Sequence, residues 1–374
     1  LGVDFANEET EVDVRRSPYA PNMVADRAGR PEKRAGYQTI KEFSGRINGI
    51  HFFDGNMLVH AGTGFYDAQG NSLYSGANDA RSVSFIMAQR EVEDEMIVLR
   101  HNLYLLDGEN YLRYDGQTVE KVEGYIPTTM AAGILLEPVN LLQPKRKNTF
   151  AGDGEKVEFQ LDGQSLDDAE AKVYVDGELK TPEIDYTLDI QEGTVTFASA
   201  PEKPSGGENI MVEFSRTVSG YREMIERCCT YSTFGVGNDT RVFVSGNAEH
   251  PNRDWQSATY NPEYFPDTGY TDLGSSNTAI MGYMKQYDSL IVVKEQSDET
   301  GLFMRTAQLS QTQYEGADTY EPVFPVKEGI SGIGAVSRYA FAGFGSDQLM
   351  LTRNGVCKSK KRSKQELYGK PKAH

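Results

Sequence analysis

The sequence predicts an all-β chain, and three observations carry that prediction. Its 37 glycines, 21 tyrosines and 17 phenylalanines favour short strands and turns over long helices. Asp-Gly pairs at Asp54, Asp107, Asp115, Asp153, Asp162 and Asp176, with Asn-Gly pairs at Asn48 and Asn354, each sit beside a short apolar run, which is hairpin-turn chemistry. A loose unit also recurs: an apolar strand, a polar turn, a strand rich in Val, Leu or Met, another turn, then a strand with an aromatic. With 374 residues and 38% hydrophobic content, the chain is long enough for two or three domains with real cores.

Residues 1–40 read as an extended N-terminal arm. Pro18, Pro21 and Pro31 fix φ and bias Ser17, Ala20 and Arg30 away from helix. The same stretch carries Arg15, Arg16, Arg27, Arg30, Lys33 and Arg34, so it is expected to lie across a partner or a groove. The candidate partner-binding residues are Arg15, Arg16, Pro18, Pro21, Asn22, Arg27, Lys33, Arg34 and Tyr37. The plainer alternative is a surface loop leading into the first strand.

Residues 41–148 and 219–356 hold the recurring units. They begin at Ile47 (INGIHFFDGNMLVHAGTGFYDAQGN), Val83 (VSFIMAQREVEDEMIVLRHNLYLLDGEN), Ala279 (AIMGYMKQYDSLIVVKEQ, closing on GLFMR) and Ala335 (AVSRYAFAGFGSDQLMLTRNGV). Small antiparallel sheets of this kind cannot bury both faces alone, and a β-propeller stacks them radially. The competing arrangement is a β-sandwich with chance similarity among its hairpins. Residues 149–218, between the second and third units, alternate at period two: Val157, Phe159, Leu161; Val173, Val175; Tyr186, Leu188, Ile190; Val195, Phe197; Ile210, Val212, Phe214. That pattern predicts an inserted small antiparallel β-sandwich domain, bounded by the polar PKRKNT and by SGY.

The formal charge of −17 argues against general nucleic-acid affinity. The insert carries sixteen acidic and five basic residues, −11 of that total. Residues 357–374 form a basic tail, expected to be disordered, with seven Lys or Arg against Glu366 and scope for a weak DNA contact. Cys228 and Cys229 are adjacent and Cys357 stands apart, so no disulfide framework is expected and a reducing cytosol fits. No run is long enough to span a bilayer, and LGVDFANEETEVDV lacks the regions of a signal peptide, so a soluble protein made without export is expected.

No catalytic, cofactor-binding or metal site is expected. His51, His60, His101, His250 and His374 have no metal-ligand spacing. FGVGNDT and GISGIGAV match neither a dinucleotide fingerprint nor a Walker loop, and no Gly-x-Ser-x-Gly elbow occurs. Asp267 and Asp272 offer too few oxygens for calcium, and no carboxylate pair stands out for glycoside hydrolysis. One segment, RVFVSGNAEHPNRDWQSATYNPEYFPD, groups the only tryptophan, Trp255, with Tyr260, Tyr264 and Phe265. It reads either as a surface aromatic loop for a sugar or protein partner, or as a loop packed on its own sheet.

The arm SPYAPNMVADRAGRPEKRAGY, the hairpin repeats and RVFVSGNAEHPNRDWQSA resemble tailed-bacteriophage structural proteins of the β-propeller tail-hub and packaged-DNA-stabilisation group of the head–tail neck. GDGEKVEFQL, VYVDGELK, DYTLD and GTVTFASAP look like a small β-domain of phage tail proteins. The resemblance spans most of residues 10 to 356. It implies a non-enzymatic virion component, made in the bacterial host cytoplasm. Such a component assembles as a homo-oligomeric ring with other neck or tail proteins and helps close the portal channel over packaged DNA. CKSKKRSKQELYGKPKAH departs from the family pattern, so closure of the propeller within this chain is left open. Two other functions compete: a carbohydrate- or receptor-binding propeller used in host adsorption, and a propeller glycosidase.

Overall fold

The computed structural model describes residues 2–3, 7–8, 10–17, 19, 22–25, 31–93, 96–167, 171–286, 288–314, 317–344 and 347–359. Strands make up 48% of the chain and helix 2%, so the fold is nearly all β. The chain divides into two compact units, Leu1–Phe43 and Ser44–His374. In the first, Met23–Ala25 pairs antiparallel with Pro31–Lys33, and Gly2–Val3 pairs in parallel with Arg16–Ser17. The proline-rich segment therefore doubles back instead of running as one extended strand. Asn22 takes φ 58°, and its carbonyl accepts from the Arg34 amide at 2.7 Å.

The second unit is built from up-and-down meanders. Sheet I runs Ile47–Phe53, Asn56–Ala61, Gly64–Asp67, Ser72–Ser75, and sheet II runs Val83–Glu93, Met96–Leu106, Tyr111–Tyr114, Val119–Lys121. After the insert come sheet V (Thr230–Phe234, Arg241–Ser245, Arg253–Gln256, Tyr270–Asp272) and sheet VI (Ile280–Gln286, Ser289–Lys294, Leu302–Thr306, Val326–Glu328). Sheet VII has three strands, Phe341–Phe344, Asp347–Thr352 and Gly355–Ser359, so the β structure runs past Val356 into the first residues of the basic tail. The hairpin of Gln308–Tyr314 with Ala317–Val323 projects between the last two strands of sheet VI.

Turn chemistry explains part of this regularity. Asp54 and Gly55 have φ of 47° and 77°, and Phe53 pairs with Asn56, which makes a two-residue hairpin whose twist suits the strands. The longer Asp115 turn works differently: its Oδ1 accepts from the Gln117 and Thr118 amides at 2.8 and 2.7 Å. Asn48-Gly49 is not a turn at all. It lies inside the first strand of sheet I, where the register slips, and a Cβ on Gly49 would come within 2.5 Å of His51 and Ser82.

Alternation along the strands stacks the sheets face to face. In sheet II, Leu103 and Leu105 pack with Leu58 and Phe65 of sheet I, while Tyr104 and Leu106 pack with Val242, Val244 and Trp255 of sheet V. In sheet V, Phe243 turns the other way and meets Leu290 of sheet VI. In sheet VI, Val293 joins Met350 of sheet VII. Each sheet between two others is thus buried on both sides, because neighbouring residues of a strand point in opposite directions. The short helix Tyr221–Glu226 anchors the return from the insert through Ile225, which is fully buried between sheets II and V.

The insert builds a separate core. Six strands form sheet III, in the order Ile134–Leu135, Thr128–Ala131, Lys145–Phe150, Ile210–Ser215, Lys172–Val175, Glu178–Leu179. Three more form sheet IV: Glu158–Gln160, Thr194–Phe197 and Tyr186–Asp189. Phe150, Val173, Val212 and Phe214 from the first share one apolar cluster with Phe159, Val195, Phe197 and Tyr186 from the second. Sheet III begins before residue 149, because the polar KRKNTF is a strand whose inward residues are Arg146, Asn148 and Phe150.

Candidate binding surface at one end of the sheet stack

In a four-stranded meander, the loop between strands two and three and the link to the next sheet fall at the same end. Here that end gathers the approach to sheet I (Arg46), the link from I to II (Asn78 to Arg81), the Asp107 loop of II and the approach to V (Arg227, Cys229). It also receives the loop of V from Gly246 to Glu249 and the approach to VII (Arg338, Tyr339). Two cavities of about 510 Å³ each open there, one lined by Arg46, Asn48 and Ile50, the other by Asp107, Arg227, Asn247 and Arg338. They share Ala80, Arg81 and Tyr339.

The cations of this end are held in distinct ways. The Arg81 guanidinium lies over the Tyr339 ring at 4.1 Å from its centroid. The Arg338 Nη1 donates to the Cys229 sulfur at 3.1 Å, a weak acceptor. Arg227 pairs with Glu249, and Arg46 donates to the Asn48 side chain at 2.8 Å and to the Asp79 carbonyl at 3.1 Å. Asp107 is occupied by the amides of Asn78, Glu109 and Asn110, at 2.9, 2.9 and 2.7 Å. Burial pushes the Cys229 thiol up, and the Arg338 charge only partly offsets this, so the sulfur stays protonated near neutrality.

Beneath this end, two buried histidines share one hydroxyl. Ser82 Oγ is 2.8 Å from His51 Nε2 and 2.9 Å from His60 Nδ1, and His51 Nδ1 is 2.8 Å from Ser84 Oγ. Burial lowers both histidines, His51 to about 4, so both are neutral and join sheet I to sheet II by hydrogen bonds. With the thiol protonated and the histidines buried, neither of these groups supplies a nucleophile or general base to the cavities. Among the described residues, no cluster of three metal-ligating side chains occurs.

The residues singled out from the sequence fall elsewhere. Pro18, Pro21 and Arg27 lie outside the described residues, as does the tail from residue 360. Arg15 is already paired with Asp13 at 2.8 Å, and that contact holds the Asp13 carboxyl down at about 2. Arg34 sits 5.6 Å from the centroid of the exposed Tyr37 ring, and Asn22 and Lys33 are exposed. Arg16 lies in the short parallel pairing with Gly2–Val3.

The aromatic group is not a surface loop. Trp255 and Phe265 are fully buried and Tyr264 is 6% exposed, with Tyr260 half-buried. Trp255 belongs to the third strand of sheet V, and Tyr111 of sheet II donates to the Pro262 carbonyl at 3.0 Å, so the segment is wedged between sheets. Asp272 takes a two-point contact from Arg253 at 2.7 and 2.9 Å, and Asp267 is half-buried with its carboxyl raised by that burial. Sequence reading missed Arg46, Arg81, Arg338 and Tyr339, because the first two lie hundreds of residues from the last two and no local motif joins them.

No known protein-family model matches the chain, and no curated protein matches its sequence. No helix among the described residues is long and apolar enough to cross a membrane.

Proposed function

We propose that this chain is a non-enzymatic structural protein of a tailed-bacteriophage virion, placed at the tail or head–tail neck. In this reading the stacked sheets are propeller-like blades and the insert is a small β-sandwich. Copies assemble in a ring that helps close the portal channel over packaged DNA. The observation that carries the reading is the chain-ordered stack: sheets I, II, V, VI and VII bury successive faces against one another, and the insert forms its own core. Radial stacking is the arrangement that such meanders favour.

Two further features support a scaffold over an enzyme. The buried Asp254 is engaged structurally by Arg305 at 2.8 Å, and the exposed Asp272 by Arg253. The adsorption alternative leaned on Trp255, whose burial removes the aromatic platform that sugar stacking needs. Deletion of residues 1–37 tests the assembly role of the basic arm. The reading expects ring formation on the adjoining neck protein to be lost; unchanged assembly would remove the arm from the account. DNA binding that weakens with salt and vanishes without residues 358–374 would favour a tail that contacts DNA in the channel.

A further inference from the structure

We propose that the arginine-rich end of the stack is a phosphate-binding site, with the two cavities around Arg81 and Tyr339 receiving a phosphomonoester. In a chain of net charge −17, Arg46, Arg81 and Arg338 converge on this one end, and none of the three forms an ion pair among the described residues. Elsewhere in the second unit arginines are commonly matched, as at Arg113 with Glu263, Arg253 with Asp272 and Arg305 with Asp254. A guanidinium without a carboxylate partner keeps donors available to an incoming anion.

The chemistry favours phosphate over carboxylate. A carboxylate presents two oxygens in one plane and is satisfied by a single guanidinium fork. Phosphate presents three or more oxygens in different directions, so it can accept from two forks at once. Arg81 and Arg338 both line the second cavity, beside Tyr339. Stacking on Tyr339 orients the Arg81 fork before any ligand arrives. Arg338 spends one donor on a sulfur, which a phosphate oxygen replaces with a stronger acceptor. Three carboxylates line the same cavity and match its three arginines in formal charge: Asp107 accepts from backbone amides, which do not cancel its charge, Glu249 pairs with Arg227, and Glu109 is the third. The site therefore rests on the two guanidinium forks and not on a net positive field. A cavity of about 510 Å³ exceeds the size of phosphate alone, so the anion is expected to carry an organic group.

This inference does not depend on the virion reading, because the site lies within one chain. The test is calorimetric titration of the full chain at low salt with inorganic phosphate, a nucleoside monophosphate, a single-stranded oligonucleotide and a glutamate-rich peptide. The proposal expects the monophosphate to bind, the affinity to fall with ionic strength, and Arg81→Gln and Arg338→Gln each to weaken binding about tenfold or more. Arg338→Lys keeps the charge and loses the fork, so it should weaken binding also. Lys203→Gln, in the insert, should leave binding unchanged. Thermal unfolding of each variant checks that the fold survives. Absence of monophosphate binding to the wild type, preference for the peptide, or equal weakening by Lys203→Gln would overturn the site. Binding of the oligonucleotide alone would also overturn it, since that is the signature of a strand-binding groove.

Discussion

The insert and the stack that flanks it solve burial in opposite ways. Sheets III and IV close one apolar cluster between them, with strands that each hide a single face. The inner sheets of the stack hide both faces, so every junction belongs to two sheets, and two junctions hold polar groups as well as side-chain hydrocarbon. Between V and VI lies Asp254 with Arg305, each 1% exposed and 2.8 Å apart, the guanidinium 4.6 Å from the Phe243 ring centroid. Between I and II lies the His51–Ser82–His60 cluster. The difference teaches where cooperativity resides: damage to the insert stays inside it, whereas damage to a junction is felt by both adjoining sheets.

The largest expected effect comes from splitting the buried pair. Arg305→Leu leaves Asp254 buried without its cation, and should cost about 3–5 kcal/mol, measured as a shift in the urea midpoint with loss of amide protection in both V and VI. Loss of protection in only one sheet would break the comparison. Phe159→Ala, in the insert core, should cost about 3 kcal/mol by leaving a cavity beside Phe150 and Phe197. Hydrogen exchange should then show opening confined to residues 145–217, while the stack exchanges as in the wild type.

The two polar junctions should respond to pH with opposite signs. Burial holds His51 down at about 4 against its ordinary 6.5, so the stability it contributes is complete above pH 6.5 and is lost as pH falls toward 4, by up to about 1.4 kcal/mol per pH unit. Burial pushes the Asp254 carboxyl up to about 6, against the pull of Arg305, so between about pH 4 and 6 that group favours the folded state less as pH rises. The two slopes partly cancel in the wild type. His51→Phe removes most of the first and leaves the contribution of His60, so its stability should rise less steeply with pH than the wild type's across that window; a slope unchanged from wild type would contradict the assignment. The smallest effect belongs to the turns: Gly55→Ala, at φ 77°, should cost about 1 kcal/mol by thermal denaturation.

The all-β class and the hairpins at Asp54 and Asp176 were legible because a turn of this kind is encoded by two adjacent residues. The alternation of the insert was legible for a similar local reason. Sheet V was not, since its first two strands are parted by the glycine-rich FGVGNDT and its last two, RDWQ and YTD, are short and polar. The sequence leaves Trp255 open between a surface loop and a packed one because its neighbours are hydrophilic; its burial is made by sheet II, more than a hundred residues upstream. PKRKNT marks a polar boundary in the sequence, and the strand there is hidden because two of its three inward residues are Arg146 and Asn148, the reverse of the usual pattern. The arginine end was invisible for the same non-local reason, as it exists only once four sheets bring their ends together.

Electron microscopy of the purified chain, alone and on virions carrying it with a label, tests the central claim most directly. The account predicts a ring of copies around the tail or neck axis, each copy a radial stack of sheets with the insert as a separate lobe. Monomers that never assemble, a label absent from the virion, or sheets packed as one flat sandwich would contradict it.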